Sequence, residues 1–184
     1  MTNFVQVGDT VVGAASDWPL LPVYAARRQD GSLTVLTINK DPVNTLTGQL
    51  SVAGFNPGSE VAVYSYGIPQ DDAAEYGAGS PDIAQSALCI SSTTFNYPFP
   101  PYSATVMVFP PSAHLLPLAP NRAASQFVFQ IQGQSGVTYV LESSTDLVDW
   151  TSVSTNTLTA SILNITNTVV PSRPAEYWRV IWQP

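Results

Sequence analysis

The chain has 184 residues, of which 45% are hydrophobic and only 10% are charged, and its net charge is −7. That length suits one large domain or two small ones. The scarcity of Lys and Arg argues against nucleic acid and against anionic membrane surfaces, since both require clustered positive charge. Neutral partners such as glycans fit this composition best, because stacking and hydrogen bonds hold them without charge.

The beginning of the chain, MTNFVQVGD, has no basic region followed by an apolar run, so it does not read as a signal peptide. We interpret this beginning as a position inside a longer protein. No stretch approaches the ~20 consecutive apolar residues of a membrane helix.

Short β-branched runs separated by turn residues recur along the first part of the chain, and strong helical periodicity is absent. These runs predict strands at 21–28, 32–39, 46–53, 59–66, 93–97 and 102–109. The run LTVLTI is apolar on both faces, which predicts a central strand. LTGQLSVA alternates apolar and polar residues, which predicts a strand with one solvent-exposed face. Residues 67–86, GIPQDDAAEYGAGSPDIAQS, are interpreted as a long polar loop.

A proline-rich stretch then separates two predicted domains, which we place at 1–112 and 119–184, with a stiff linker at 113–118. In the second domain the pattern predicts strands at 127–132, 138–144, 150–154, 161–166 and 176–183. GQSG at 133–136 is typical of a hairpin turn. The predicted fold class is all-β: a β-sandwich with Greek-key or meander connections, followed by a smaller antiparallel β domain.

The only lysine, Lys40, lies in INKDP at the end of a predicted strand. Asp41 favours a turn through hydrogen bonds to its own backbone, and Pro42 cannot continue a ladder. We therefore interpret this cluster as a strand end and not as a catalytic lysine.

Four acidic residues fall in the polar loop, namely Asp71, Asp72, Glu75 and Asp82. Glycoside hydrolysis needs a pair of carboxylates held at a defined separation, which a Gly-rich loop does not provide. We interpret these groups as solvated charge. Calcium bound by Asp71, Asp72 and Asp82 is the alternative, because that ion prefers oxygen ligands.

The sequence lacks the residues that other catalytic sites or a zinc site would require. The single histidine, His114, lies in the linker, and the single cysteine, Cys89, excludes an internal disulfide. No Gly-x-Ser-x-Gly elbow is present, and one His with one Cys cannot form a zinc site. We predict no catalytic residue and no cofactor beyond the calcium alternative.

Aromatic side chains are the remaining candidates for a binding site. Trp18, Tyr66 and Tyr76 are the aromatics predicted to be exposed, and any of them could stack on a glucan ring. The alternative is that Trp18 packs at the sandwich edge and Tyr76 covers the base of its own loop.

The tryptophans of the second domain have a different interpretation. Trp178 and Trp182 share one strand face with Val180, which predicts core packing. Trp150 is expected at the edge of that domain.

Three segments of the first domain resemble a known family when taken together in order. They are LPVYAARRQDGSLTVLTINKDP, LSVAGFNPGSEVAVYSYG and TTFNYPFPPYSATVMVFPP, and they cover roughly residues 10–111. In order and spacing they resemble the C-terminal β-sandwich of clan-A glycoside hydrolases, most closely that of the family forty-four endoglucanases and xyloglucanases. In the second domain, TYVLESSTDLVDWTSV and EYWRVIW resemble small β modules at the C-termini of large extracellular bacterial proteins.

The resemblance implies a non-catalytic part of a polysaccharide-degrading enzyme. The family's catalytic glutamates lie on a barrel, which needs ~200 residues or more of alternating strand and helix, and no such pattern is present here. No catalytic residue can therefore be carried over. The resemblance implies an extracellular accessory region that binds a neutral β-glucan and has the parent catalytic domain as its partner. A structural or cell-surface attachment module without a ligand, and a small glycoside hydrolase, remain as alternatives.

Overall fold

A computed structural model describes residues 4–118, 126–168 and 175–184. Within these ranges the chain forms fourteen β-strands and one short α-helix, which confirms the all-β prediction. The chain divides into two compact units, Met1–Pro110 and Pro111–Pro184.

The first unit is a sandwich of two unequal antiparallel sheets. Its elements are β1 Thr10–Val12, β2 Val23–Arg27, β3 Leu33–Asn39, β4 Leu46–Ser51, β5 Glu60–Tyr66, α1 Ile68–Tyr76, β6 Ala84–Cys89, β7 Thr94–Phe99 and β8 Ser103–Phe109. Six strands form one sheet in the order β1-β2-β3-β8-β5-β6, and β4 pairs with β7 in the other. The core lies between the sheets, where Val35, Val63, Met107 and Phe109 meet Phe99 of β7.

Two strand predictions are confirmed in detail. β3 lies third in the six-stranded sheet and is buried at six of its seven positions, as expected of a run that is apolar on both faces. In β4 the side chains of Thr47, Gln49 and Ser51 are exposed, while Leu46 and Leu50 are partly buried and pack against the core.

The interpretation of residues 67–86 as a loop is wrong, because this segment contains α1 and the first residues of β6. Pro69 lies in the first turn of the helix, and the Gln70 side chain accepts a hydrogen bond from the Gly67 N–H at 2.9 Å. Gly77 ends the helix in the left-handed conformation, at φ 69°. These are ordinary signals of a helix start and stop, but nine residues are too few for a clear periodic pattern.

In its described residues, 111–118, 126–168 and 175–184, the second unit forms six strands in two three-stranded antiparallel sheets. They are β9 His114–Pro117, β10 Gln126–Gln132, β11 Thr138–Ser144, β12 Thr151–Thr157, β13 Ile162–Thr168 and β14 Tyr177–Trp182. The sheet orders are β13-β10-β9 and β12-β11-β14. Ile131, Val137, Tyr139 and Leu158 form the buried core of this unit.

Two local predictions in this region need correction. Residues 114–117, which the sequence assigns to the linker, form β9 and pair with β10. β9 is an edge strand, and an edge strand can tolerate a proline such as Pro117. The GQSG segment at 133–136 does not close a hairpin, because it connects β10 and β11, which lie in different sheets.

The tryptophans of β14 lie where the sequence predicts them. Trp178 and Trp182 are partly buried on one face of the strand, and the Trp178 ring lies 5.2 Å from that of Phe129. The Arg179 guanidinium on the opposite face lies 4.2 Å from the ring centroid of Trp150 and donates to Glu142 at 2.7 Å.

Candidate functional site

Several connections of the first unit meet at one end of the six-stranded sheet. The Lys40 N–H, just after β3, donates to the Leu20 carbonyl in the loop before β2 at 2.8 Å. The Tyr102 N–H, just before β8, donates to the Asp41 carbonyl at 3.0 Å. The start of β8 in turn pairs with the end of β5 at Tyr66. The loops before β2 and β8 and those after β3 and β5 therefore lie side by side.

Asn39, the last residue of β3, organises this end of the sheet. Its Nδ2 donates to the carbonyls of Asn44, Phe99 and Pro100 at 2.8–2.9 Å, and its Oδ1 accepts from the Asp41 N–H at 2.8 Å. The side chain thereby joins the connection after β3 to the turn between β7 and β8. The cluster around the lysine thus makes the contacts of a strand end, and the lysine itself is exposed.

Four aromatic side chains are exposed on these connections. The exposed fraction is 54% for Trp18, 38% for Tyr66, 69% for Tyr76 and 58% for Tyr102. We call this group of four side chains the aromatic end. The three aromatics that the sequence predicts to be exposed all belong to it.

Tyr102 is the member of the aromatic end that the sequence analysis missed. Its φ is +45°, a left-handed conformation that few residues other than glycine adopt. Hydrogen bonds on either side hold it there: its own N–H donates to Asp41, and the Ser103 hydroxyl donates to the Pro100 carbonyl at 2.7 Å. The Pro-Pro-Tyr-Ser sequence marks a turn, but only the tertiary hydrogen bonds show that the tyrosine points into solvent.

Two of the tyrosine hydroxyls form hydrogen bonds with carboxylates. The Tyr66 hydroxyl donates to Asp71 Oδ1 at 2.8 Å, and this hydrogen bond raises the pKa of Tyr66 above its ordinary value. A hydrogen bond to Glu75 raises the pKa of Tyr76 in the same direction. In each case the neutral phenol is the favoured form, because ionisation would place a negative charge beside a carboxylate.

The structure places the members of the aromatic end in two positions. Tyr66 is the last residue of β5, and Tyr76 lies in the connection from β5 to β6. This connection ends at Ala84, which pairs with Ser65 of β5. Trp18 lies across the sheet end, before β2. From β2 to β5 there are three strand spacings of about 4.8 Å, or roughly 14 Å, and Tyr102 lies in between.

A groove of 1130 Å³ opens beside Trp18, between β4 and the inner face of β2 and β3. We call it the β4 groove. Its lining residues include Asp17 and Trp18 together with Thr47, Gln49 and other residues of β4. The three tyrosines of the aromatic end are not among its lining residues.

The acidic residues of α1 and the following loop do not form a group that could hold a metal ion. Asp71, Asp72, Glu75 and Asp82 are all exposed. Among the residues that the structure describes, no group of three or more His, Cys, Asp or Glu side chains could hold a metal ion. The calcium candidates are therefore not brought together. In the same part of the chain, no helix is long and apolar enough to cross a membrane.

Comparison with known protein families finds no match, and comparison with curated proteins finds none either. Solved structures of glycoside hydrolases share part of the fold. A bifunctional glucanase-xylanase from a metagenome library is 25% identical, with a TM-score of 0.45, over 54% of this chain and 18% of its own. A GH30 endoxylanase from Clostridium papyrosolvens is 15% identical, with a TM-score of 0.45, over 58% of this chain and 24% of its own.

A third such structure is a family 44 xyloglucanase from Paenibacillus polymyxa. It is 21% identical, with a TM-score of 0.42, over 51% of this chain and 17% of its own. This chain therefore spans no more than a quarter of the length of any of these three proteins. The likeness is a loose one to glycoside hydrolases over about half of the chain, and it does not establish an activity.

Proposed function

We propose that this chain is a non-catalytic accessory region of an extracellular polysaccharide-degrading enzyme and binds a neutral β-glucan at the aromatic end. The observation that carries the proposal is the exposure of four aromatic side chains on adjoining connections at one end of the six-stranded sheet. Sugar rings present C–H faces that stack on aromatic rings, and their hydroxyls are satisfied by water and polar side chains at the rim.

The position of the four rings fits an extended chain better than a single sugar. Trp18 precedes β2 and Tyr66 ends β5, and these two strands are three strand spacings apart, or roughly 14 Å. Tyr102 precedes β8, which lies between them. A polymer laid across the sheet end could contact more than one ring at once. A monosaccharide would reach only one ring.

Charge supports a neutral ligand. The first unit carries nine acidic and three basic side chains, so an anionic polymer would be repelled. Asp71 and Glu75 lie beside the tyrosine hydroxyls and could accept hydrogen bonds from sugar hydroxyls.

A binding role without hydrolysis is supported by the state of the carboxylates. Glycosidases hold two carboxyl groups facing the scissile bond, with pKa values that differ enough to provide an acid and a base. The four acids near the aromatic end are exposed, and Asp71 already accepts a hydrogen bond from a tyrosine. Neither feature favours the water-excluded acid that such catalysis uses.

Affinity electrophoresis in soluble xyloglucan, mannan and xylan gels, with pull-down on insoluble cellulose, tests the proposal. One stacked ring contributes about 1 kcal/mol, or roughly fivefold in affinity, so each of Trp18→Ala and Tyr102→Ala should weaken retardation several-fold. Both should leave the melting temperature nearly unchanged, because both side chains are more than half exposed. Tyr24→Ala is the matched control, since Tyr24 is 51% exposed but lies on β2 itself and not on the connections that carry the aromatic end.

Three results would contradict the proposal. If no gel retards the wild-type chain, the alternative of a structural or attachment module is favoured. If Tyr24→Ala weakens retardation as much as Trp18→Ala does, the aromatic end is not the binding surface. Reducing-sugar release that disappears on Asp72→Ala or Glu75→Ala would show a hydrolase.

A further inference from the structure

β4 has one edge that no described strand covers. Within the described residues it pairs with β7 alone, in a sheet of two strands. The Val52 N–H, just past β4, donates toward β7 at the Thr93 carbonyl. Because antiparallel strands alternate hydrogen-bonded and non-hydrogen-bonded pairs, the backbone groups of Thr47, Gln49 and Ser51 point the other way, toward the β4 groove.

The two outer edges of this small sheet differ. Pro98 lies opposite Thr47, in a non-hydrogen-bonded pair, so its missing N–H falls on the outer edge of β7. A proline on an edge strand blocks the addition of a further strand. β4, with the sequence LTGQLS, carries neither proline nor charge, so its edge is open to pairing.

The lining of the β4 groove suits a polypeptide strand with alternating side chains. Its floor is built from apolar side chains, among them Leu21, Val23, Leu33, Val35 and Phe99. The lining also includes polar side chains, among them Ser16, Asp17, Thr37 and Gln49, so a bound strand could place its apolar and polar side chains against matching parts of the groove.

We propose that the β4 groove binds an extended strand of a separate polypeptide, which pairs with the free edge of β4 and places alternate apolar side chains on the groove floor. Strand addition at an exposed sheet edge is a general mode of peptide recognition, in which main-chain hydrogen bonds supply affinity and alternate side chains supply specificity. Because the first unit carries nine acidic and three basic side chains, a strand flanked by lysine or arginine is favoured electrostatically. This role is additional to glucan binding and does not depend on it.

The proposal can be tested with two fluorescein-labelled nine-residue peptides on the full chain. Both alternate threonine with apolar residues between terminal lysines; one uses valine and isoleucine, the other leucine and phenylalanine. A control version of each has proline at its central position and cannot form the ladder. We expect binding in fluorescence anisotropy, with slower amide exchange at Thr47, Gln49 and Ser51. The proline versions should bind at least about tenfold more weakly.

A matched pair of variants tests the edge itself. Gln49→Pro removes the central N–H of the free edge without removing a bond to β7, and Gly48 before it has no Cβ to clash with the proline ring. It should raise the peptide Kd about tenfold, whereas Gln49→Thr, which keeps the N–H, should stay within about twofold. Glucan retardation should be the same in both variants, so failure of this proposal is separable from failure of the aromatic end.

Several outcomes would overturn the inference. These are failure of both peptides to protect the β4 amides, equal binding of the proline versions, and unchanged binding by Gln49→Pro. The comparison between peptides uses only the wild-type chain, so it stands even if Gln49→Pro unfolds. If sedimentation shows that the wild type self-associates and that Gln49→Pro abolishes this, the occupant is a second copy and the proposal is wrong.

Discussion

Replacing Asn39 with alanine should destabilise the first unit more than any exposed substitution near it. The side chain is 1% exposed and takes part in four hydrogen bonds, to the backbone of Asp41, Asn44, Phe99 and Pro100. Two N–H groups serve three carbonyls, so at least one of these bonds is shared. Asn39→Ala leaves three carbonyls and one N–H without this partner.

The expected loss follows from the number of groups affected. A typical hydrogen bond contributes about 0.5–1.5 kcal/mol, and a buried group that loses its partner costs about 1–3 kcal/mol. Allowing for water at the partly exposed carbonyls, Asn39→Ala should lower the free energy of unfolding by about 3 kcal/mol. For a unit of this size the melting temperature should fall by roughly 10–15 °C.

Thermal unfolding followed by circular dichroism and calorimetry measures this loss. Asn96→Ala is the matched control, because Asn96 is exposed on β7 and should change stability by less than about 0.5 kcal/mol. Asn39→Asp adds a pH test: its carboxyl would face three carbonyls, so its pKa in the folded state should rise. Stability would then be retained at low pH and lost as pH rises through that raised pKa. A loss below about 1 kcal/mol for Asn39→Ala would refute the reasoning.

Two further predictions follow from local contacts. The hydrogen bond to Asp71 raises the pKa of Tyr66 above its ordinary value of 10.0, so this interaction contributes stability at neutral pH that is lost as pH rises through the raised pKa. Spectrophotometric titration should show one tyrosine that ionises at higher pH than the others, and Asp71→Asn should lower the pKa of that tyrosine. An unchanged titration curve in Asp71→Asn would contradict the assignment. A Cβ at Gly133 would lie 2.7 Å from the Tyr139 ring, so Gly133→Ala should destabilise the second unit by about 1–3 kcal/mol. Gly13→Ala is its control, because a Cβ there meets no atom within 4 Å; equal melting temperatures of the two variants would rule out the clash.

The residue pattern was informative wherever its period was clear. Alternation in LTGQLS predicted which side chains of β4 face solvent, and the apolar run of β3 predicted its central place. Side-chain type was informative too: Trp178 and Trp182 lie on the half-buried face of β14. Trp18, Tyr66 and Tyr76, which flank predicted strands or lie in polar segments, are exposed.

Prediction was less successful where local signals were short or contradictory. The nine residues of α1 have good capping residues but span too few turns to show a period. The prolines around β9 argued for a linker, yet an edge strand leaves one side of its backbone unpaired and so tolerates them. GQSG resembles a hairpin turn, and only the separate pairing of β10 and β11 shows that it is not one.

The sequence by itself determined the β character of the chain, its low content of charged residues and the aromatic side chains that it carries. Tertiary structure alone decided which groups meet. Asn39 reaches carbonyls 60 and 61 residues away, and hydrogen bonds on either side of Tyr102 accompany its left-handed conformation and exposed side chain. The open edge of β4 likewise depends on which strands pair with it. Such contacts join residues far apart in the chain, so they follow from strand pairing across the whole unit and leave no local pattern.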